Sequence, residues 1–181
     1  MTYYGAKELA ETFRTVRKNT VQVAQDIPEG NYSFKAAADV RSIEKLLTHI
    51  ALANRFQYRL HAVEKLSTLA DFNFPVLFQE MMAEEAKPRT KAEVIELLRT
   101  EGEKWAGFVE KVSDDFLSQI VMMPAGSTPA ERTRFDMILS VKEHEMHHRG
   151  QLMLVERILG IVPHLTRQIQ ERMARAQEKR D

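Results

Sequence analysis

The sequence predicts an all-α protein, an antiparallel four-helix bundle with a short extra helix at its C-terminal end. Apolar residues recur every three or four positions along most of the 181 residues, which is the period of an amphipathic helix. The seven glycines and six prolines are few, and this composition favours long helices over a turn-rich β fold. Between the helical segments there is no alternating pattern of the kind that marks a half-buried strand.

The first two helices are predicted from their apolar stripes. The first covers about 6–25, and Pro28 and Gly30 then stop the helix and turn the chain. The second is expected over about 36–65. The segment 66–89 is ambiguous, because its apolar residues fit either a short helix or a structured loop over one end of the core.

The later helices have clearer starting signals. Thr90 and Glu93 have the spacing of a capping box, which predicts a third helix through about 113. A loop is expected at 122–130. Thr133 and Asp136 have the same capping-box spacing, which predicts that a fourth helix begins near Thr133. This helix should continue to about 159, where Gly160 is a natural stop.

We place the bundle in residues 1–163 and a charged helix or tail in 164–181. The tail carries only a thin apolar stripe. It is therefore either a peripheral helix packed on its own chain or a helix that binds a partner.

Charge and composition exclude several kinds of function. The 26 basic and 26 acidic residues cancel, so no overall field attracts nucleic acid or acidic lipid. Without cysteine, the chain cannot form disulfides, thiolate nucleophiles or cysteine-ligated metal sites. No apolar run approaches the ~18 residues of a membrane span, and the early charges are unlike a signal peptide. We expect a cytoplasmic protein that binds neither membrane nor nucleic acid.

Three of the six histidines fall on apolar helix faces. At about 100° per residue, His144 and His148 lie on the core face of the fourth helix, one turn apart. His49 lies at the edge of the apolar stripe of the second helix. His147 should sit at the margin of its stripe, and His61 and His164 show no comparable placement.

A metal ion explains three core-facing imidazoles better than three separate buried histidines. Burying their lone pairs is costly unless each finds a partner, and a divalent cation can take one nitrogen from each ring. Three ligands also leave coordination positions open, as in catalytic sites. Imidazole suits Zn²⁺, Ni²⁺, Fe²⁺ and Co²⁺ alike. We therefore predict one divalent metal ion at His49, His144 and His148.

Two other metal motifs overlap the same stretch. His144, Glu145 and His148 match H-E-x-x-H, in which a glutamate acts as base for a zinc hydrolase. No third ligand follows at the expected distance, and no strand precedes the motif to hold a peptide. Glu145 and His148 also form half of a di-iron signature, but a second copy of E-x-x-H is lacking.

The segments LLTHIALANR and HEMHHRGQLMLVERILGIVP resemble the DinB-like (DinB/YfiT-like) superfamily of metal-binding four-helix-bundle proteins. Its pattern places one histidine on the second helix, H-x-x-x-H-R-G-Q on a later helix, and Gly-x-x-Pro after it. The resemblance covers about 6–163, and the residues that match are His49, His144, His148, Arg149, Gly150, Gln151, Gly160 and Pro163.

The resemblance implies a three-histidine site that often holds nickel or zinc, and it implies frequent homodimers. Iron is also possible on the ligand type alone. Characterised members with similar sites are thiol-dependent S-transferases and isomerases that use bacillithiol, mycothiol or glutathione. The implied partners are a small electrophile and a low-molecular-weight thiol.

These inferences lead to two functional hypotheses. The first is a metal-dependent thiol S-transferase, or a related hydrolase or isomerase. In it, Gln151 would donate a hydrogen bond to a ligand or substrate, and Glu145 would act as base if it turns toward the metal. Otherwise Glu145 is a solvated residue paired with Arg149. The second is a non-catalytic metal-binding protein of the stress response that acts through a partner. An enzyme requires a cleft at the metal, with 66–89 and 122–130 as its expected walls.

Overall fold

The computed structural model describes residues 4–179. In this range the chain forms seven α-helices and one short β-hairpin. A single 3₁₀ turn spans Glu29–Asn31, and a π-helical turn spans Arg59–Val63. The helices are α1 (Ala6–Asp26), α2 (Ile43–Tyr58), α3 (Phe74–Ala86), α4 (Lys91–Val109), α5 (Asp114–Ser118), α6 (Arg134–Ile158) and α7 (His164–Glu178).

The four long helices α1, α2, α4 and α6 form the bundle, so the predicted all-α fold is confirmed. Each packs against two of the others: α1 and α2 both contact α4 and α6. Arg14 bonds to Glu110 while Lys91 bonds to the carbonyl of Gln25, so α1 and α4 are antiparallel. Helices α2 and α6 are antiparallel as well. In contrast, α1 and α6 run parallel, which the long connections between the helices permit.

A buried arginine joins all four bundle helices. Arg17 of α1 is only 5% exposed, and its Nη2 lies 2.9 Å from Oε2 of Glu145 on α6. The guanidinium also donates to the carbonyls of Leu98 on α4 (2.6 Å) and Ile50 on α2 (3.3 Å). Gly102 leaves room for this side chain, since a Cβ there would lie 2.8 Å from the Arg17 Cγ. Arg17 therefore fixes the helices relative to one another.

The helix starts follow the capping residues. Thr90 and Glu93 form the predicted capping box, and Thr133 accepts a hydrogen bond from the Asp136 amide. The predicted start of the second helix at 36 is wrong, because α2 begins at Ile43. The Ser42 hydroxyl accepts a hydrogen bond from the Lys45 amide, and this cap overrides the helical propensity of the alanines before it.

Two histidines are more deeply buried than their sequence positions suggest. His61 is fully buried and its Nδ1 accepts a hydrogen bond from Arg134 (2.8 Å). Its sequence position misleads because the π-helical turn rotates side chains by less than the α-helical 100° per residue. His164 is 3% exposed, at the first turn of α7, where its Nε2 lies 3.3 Å from Oδ1 of Asn19.

The segment 66–89 contains a helix, α3, which packs on α2. The Asn73 side chain caps it and Pro75 lies in its first turn. The expectation of no strands is wrong in one place, where β1 (Ile120–Met122) pairs antiparallel with β2 (Glu131–Thr133). Three-residue strands are too short to show an alternating pattern. The loop expected from 122 therefore begins one residue later.

The C-terminal helix α7 is anchored on α1 at its first turns. His164 contacts Asn19, and Arg167 forms an ion pair with Asp26 at 2.6 Å. Beyond that anchor, Ile169 and Met173 are exposed. The last two residues of the predicted tail lie outside the described residues. In the described part of the chain, no helix is both long and apolar enough to cross a membrane.

Near this anchor, α6 buries a glutamate without a partner. Glu156 is fully buried, and neither carboxylate oxygen has a hydrogen-bond partner. Burial, and then the nearby Asp26, raise the pKa of Glu156 from its ordinary 4.5 to about 7. Between pH 4.5 and 7, Glu156 is therefore protonated in the folded protein and ionised in the unfolded chain. Because the folded state holds the extra proton, the free energy of unfolding falls as the pH rises through this range.

Glu156→Gln is expected to raise the free energy of unfolding at pH 8, by up to about 3 kcal/mol. The amide imitates the protonated acid, so the gain should shrink toward zero as the pH approaches 5. Urea unfolding at pH 5.5 and 8 measures both effects. Glu143→Gln, at an exposed position of the same helix, is the control. Equal stabilities of wild type and Glu156→Gln at pH 8 would contradict a neutral buried Glu156.

Candidate metal centre

Three imidazoles from two helices converge at the interface of α2 and α6. His49 lies in the middle of α2, and His144 and His148 lie one turn apart on α6. The His144 Nε2 atom is 3.2 Å from the Nε2 atom of His49 and 3.2 Å from that of His148. The structure thus brings together the three predicted ligands, and the three nitrogens face one another.

The spacing of these nitrogens fits a shared metal ion. Two nitrogens that each lie about 2.1 Å from a tetrahedral zinc are about 3.4 Å apart. One ligand atom from each histidine lies within 4.8 Å of the other two, and all three side chains are half-buried. The three histidines could therefore hold a divalent transition metal ion, with the remaining coordination positions left to other groups.

Two further side chains orient the histidines through Nδ1. Oε2 of Glu85, on α3, lies 3.1 Å from the His49 Nδ1. Oε1 of Gln151 lies 2.8 Å from the His148 Nδ1. A ring that donates through Nδ1–H has its lone pair on Nε2, so both contacts select the tautomer that binds a metal through Nε2.

Burial keeps the imidazoles neutral. It lowers the pKa of His144 to about 4, and the neighbouring His148, His49 and His147 and Arg41 add to the effect. Burial is also the main cause of the lowered pKa of His49 and of His148. The rings are therefore unprotonated near neutral pH and available as ligands.

Gln151 contacts one of the three ligand candidates, as an acceptor and not as the expected donor. Its Oε1 lies against His148, and its Nε2 lies 3.2 Å from Nε2 of His147. It therefore links a ligand candidate to an exposed histidine at the margin of the site.

Glu145 points away from the three histidines, into the bundle core. It is 2% exposed and pairs with Arg17, so the expectation of a solvated residue paired with Arg149 is wrong. The one-residue step from His144 turns its side chain about 100° around the helix, toward α1. We propose no base role for it. Arg149 also faces α1, where it donates to the Val16 carbonyl at 3.4 Å.

Sequence reasoning missed Glu85 and Arg41. Glu85 accepts from both His49 and Arg41, so the two residues extend the network around the site. Neither carries a spacing signal, because Glu85 is on α3 and Arg41 is in the irregular segment before α2. Only the packing of α3 on α2 brings the Glu85 carboxylate to the His49 ring.

Two cavities open beside the histidines. The aromatic cavity, about 260 Å³, touches His49 and His144, and its apolar wall consists of Ala53, Phe56, Phe74, Leu77, Phe78, Met81 and Val141. The loop cavity, about 430 Å³, touches His148, and its wall includes Phe34, Asp39, Arg41, Leu46 and Gln151. Segment 66–89 forms a wall as expected. The loop 122–130 lines neither cavity, and residues 34–46 take its place.

Glu85→Gln is expected to weaken zinc or nickel binding by about 10- to 100-fold. The amide cannot accept from His49 as strongly as the carboxylate does, so the ring loses orientation and basicity. Competition titration against a chromophoric chelator measures the affinity. Glu80→Gln, an exposed change on the same helix, is the control and should bind as the wild type does. Unchanged affinity in Glu85→Gln would show that Glu85 does not support the site.

Comparison with known proteins identifies the family of this chain. The family model of the DinB superfamily matches residues 12–152, a range that includes all three histidines. Seven chains of solved structures match, among them the crystal structure of the DinB-like protein YjoA from Bacillus subtilis. That match has a TM-score of 0.61 at 22% identity and covers 84% of this chain and 92% of YjoA. No curated protein matches. The family match spans most of the chain, which therefore belongs to the DinB superfamily.

Proposed function

We propose that this protein binds one divalent transition metal and uses it to transfer a low-molecular-weight thiol to a small electrophile. Zinc and nickel are the first candidates for the metal. The observation that carries the proposal is the convergence of three neutral Nε2 donors between two open cavities. A site with a purely structural metal is normally closed by four protein ligands.

In the proposed reaction, the thiol sulfur forms a bond to the electrophilic carbon, a bond to the leaving group breaks, and the thiol proton is released. A divalent cation with open positions lowers the pKa of a coordinated water or thiol. His49, His144 and His148 hold the cation. Glu85 and Gln151 hold two of those rings in position, and the cavities give two reactants access from different sides.

A zinc hydrolase of the H-E-x-x-H type has less support. That chemistry needs the motif glutamate beside the metal, to take a proton from water. Here the carboxylate of Glu145 is bonded to Arg17 in the core. A related hydrolase or isomerase that uses another base fits the same cavities as the transferase does.

The test begins with metal content. We expect about one transition metal per chain, measured by mass spectrometry after purification without added metal or after reconstitution with zinc or nickel. Loss of a small electrophile in the presence of a thiol is then compared for metal-loaded and metal-free protein. Faster loss with the metal supports the transferase.

Two other results separate the hypotheses. No bound metal after reconstitution would overturn the proposal altogether. Bound metal with equal rates for loaded and metal-free protein, over a panel of thiols and electrophiles, would favour the non-catalytic metal-binding hypothesis. His147→Ala is the control, since His147 lies outside the three-nitrogen cluster and this variant should retain both metal and activity.

A further inference from the structure

We infer that the aromatic cavity receives a compact, uncharged hydrophobic ring of a ligand, while the ligand's polar head reaches the three Nε2 atoms. This inference rests on the proposed function, because it takes the metal site as the place where the head binds. It adds the chemical class of the molecule that occupies one side of that site.

The charge of the two cavities decides which one takes an uncharged group. Among the described residues, the wall of the aromatic cavity contains no Asp, Glu, Lys or Arg. The loop cavity includes Asp39 and Arg41. A charged group would lose its hydration in the first cavity without gaining a partner, which is costly. It would find partners in the second.

The volume and the walls indicate the shape of the bound group. An apolar cavity of about 150 Å³ is large enough for benzene. At about 260 Å³, the aromatic cavity has room for one ring and a few further atoms, and not for a long chain or a peptide. Phe56 and Phe74 lie 5.9 Å apart between ring centroids, and Phe74 stacks on Phe78 at 6.2 Å. Walls made of aromatic rings favour a further aromatic ring as the bound group.

Acetohydroxamate and benzohydroxamate are suitable probes, because the same head binds the metal and only methyl and phenyl differ. Calorimetry on zinc-loaded protein should show benzohydroxamate binding at least tenfold more tightly. Ala53→Phe fills the aromatic cavity and should reduce this preference below twofold, with Ala53→Leu as a milder version. Ala36→Phe makes the same change in the wall of the loop cavity and should leave the preference intact.

Zinc content, measured on every sample, separates the possible failures. A protein that binds no zinc overturns the proposed function and this inference with it. Zinc-loaded protein without a preference for phenyl overturns this inference alone. The assignment of the ring to the aromatic cavity is also overturned if Ala36→Phe, and not Ala53→Phe, removes the preference.

Discussion

His144→Ala is expected to lower the affinity for zinc or nickel by roughly 100- to 1,000-fold. Metal binding at four-ligand zinc sites is worth about 10–16 kcal/mol, so one ligand's share is about 2.5–4 kcal/mol. The His144 Nε2 takes part in both 3.2 Å contacts of the cluster, so its loss removes the nitrogen that the other two rings share. Competition titration against a chelator measures the affinity.

Three further variants define how specific this effect is. His49→Ala and His148→Ala should each weaken binding, and His147→Ala should not, although its ring lies next to that of His148 at 5.0 Å. Circular dichroism checks that each variant keeps its helices. Wild-type affinity in His144→Ala, or an equal loss in His147→Ala, would contradict the proposed ligand set.

Breaking the buried Arg17–Glu145 pair is expected to cost about 3–5 kcal/mol in the free energy of unfolding. Arg17→Met leaves the Glu145 carboxylate buried without its partner, and Glu145→Leu leaves the guanidinium in the same situation. The double variant removes both charges and should lie within about 2 kcal/mol of the wild type. Urea unfolding of the four proteins gives the coupling between the two residues.

A surface pair provides the matched comparison. Arg14 and Glu103 are 2.8 Å apart and also join α1 to a neighbouring helix, but Glu103 is well exposed. Removing that pair should cost less than about 1 kcal/mol. Single-variant costs below about 1 kcal/mol at Arg17 and Glu145 would mean that water reaches the buried pair.

Glu145→Leu also tests what the adjacent glutamate does. If Glu145 is a core residue, the variant loses stability but binds metal with nearly the wild-type affinity once folded. If the carboxylate belongs to the metal site, metal affinity would fall without a comparable loss of stability. The first result supports the structural role of the Arg17 pair, and the second would return the H-E-x-x-H interpretation to consideration.

Helical periodicity and end signals were enough to predict most of the bundle. The apolar stripes located α1, α4 and α6, since these helices bury one face along their whole length. The capping residues Thr90 and Thr133 set two of the starts because a cap is a local interaction. The same reasoning predicted His49, His144 and His148 as a group, because imidazoles on an apolar face stand out against it.

The sequence by itself therefore determined the helical architecture and the three metal-ligand candidates, because both depend on patterns within single helices. Only the tertiary structure decided which other side chains meet them. The pairing of Glu145 with Arg17 and the contact of Glu85 with His49 join residues far apart in the chain. Such contacts depend on how helices pack and rotate against one another, and no spacing within one helix encodes them.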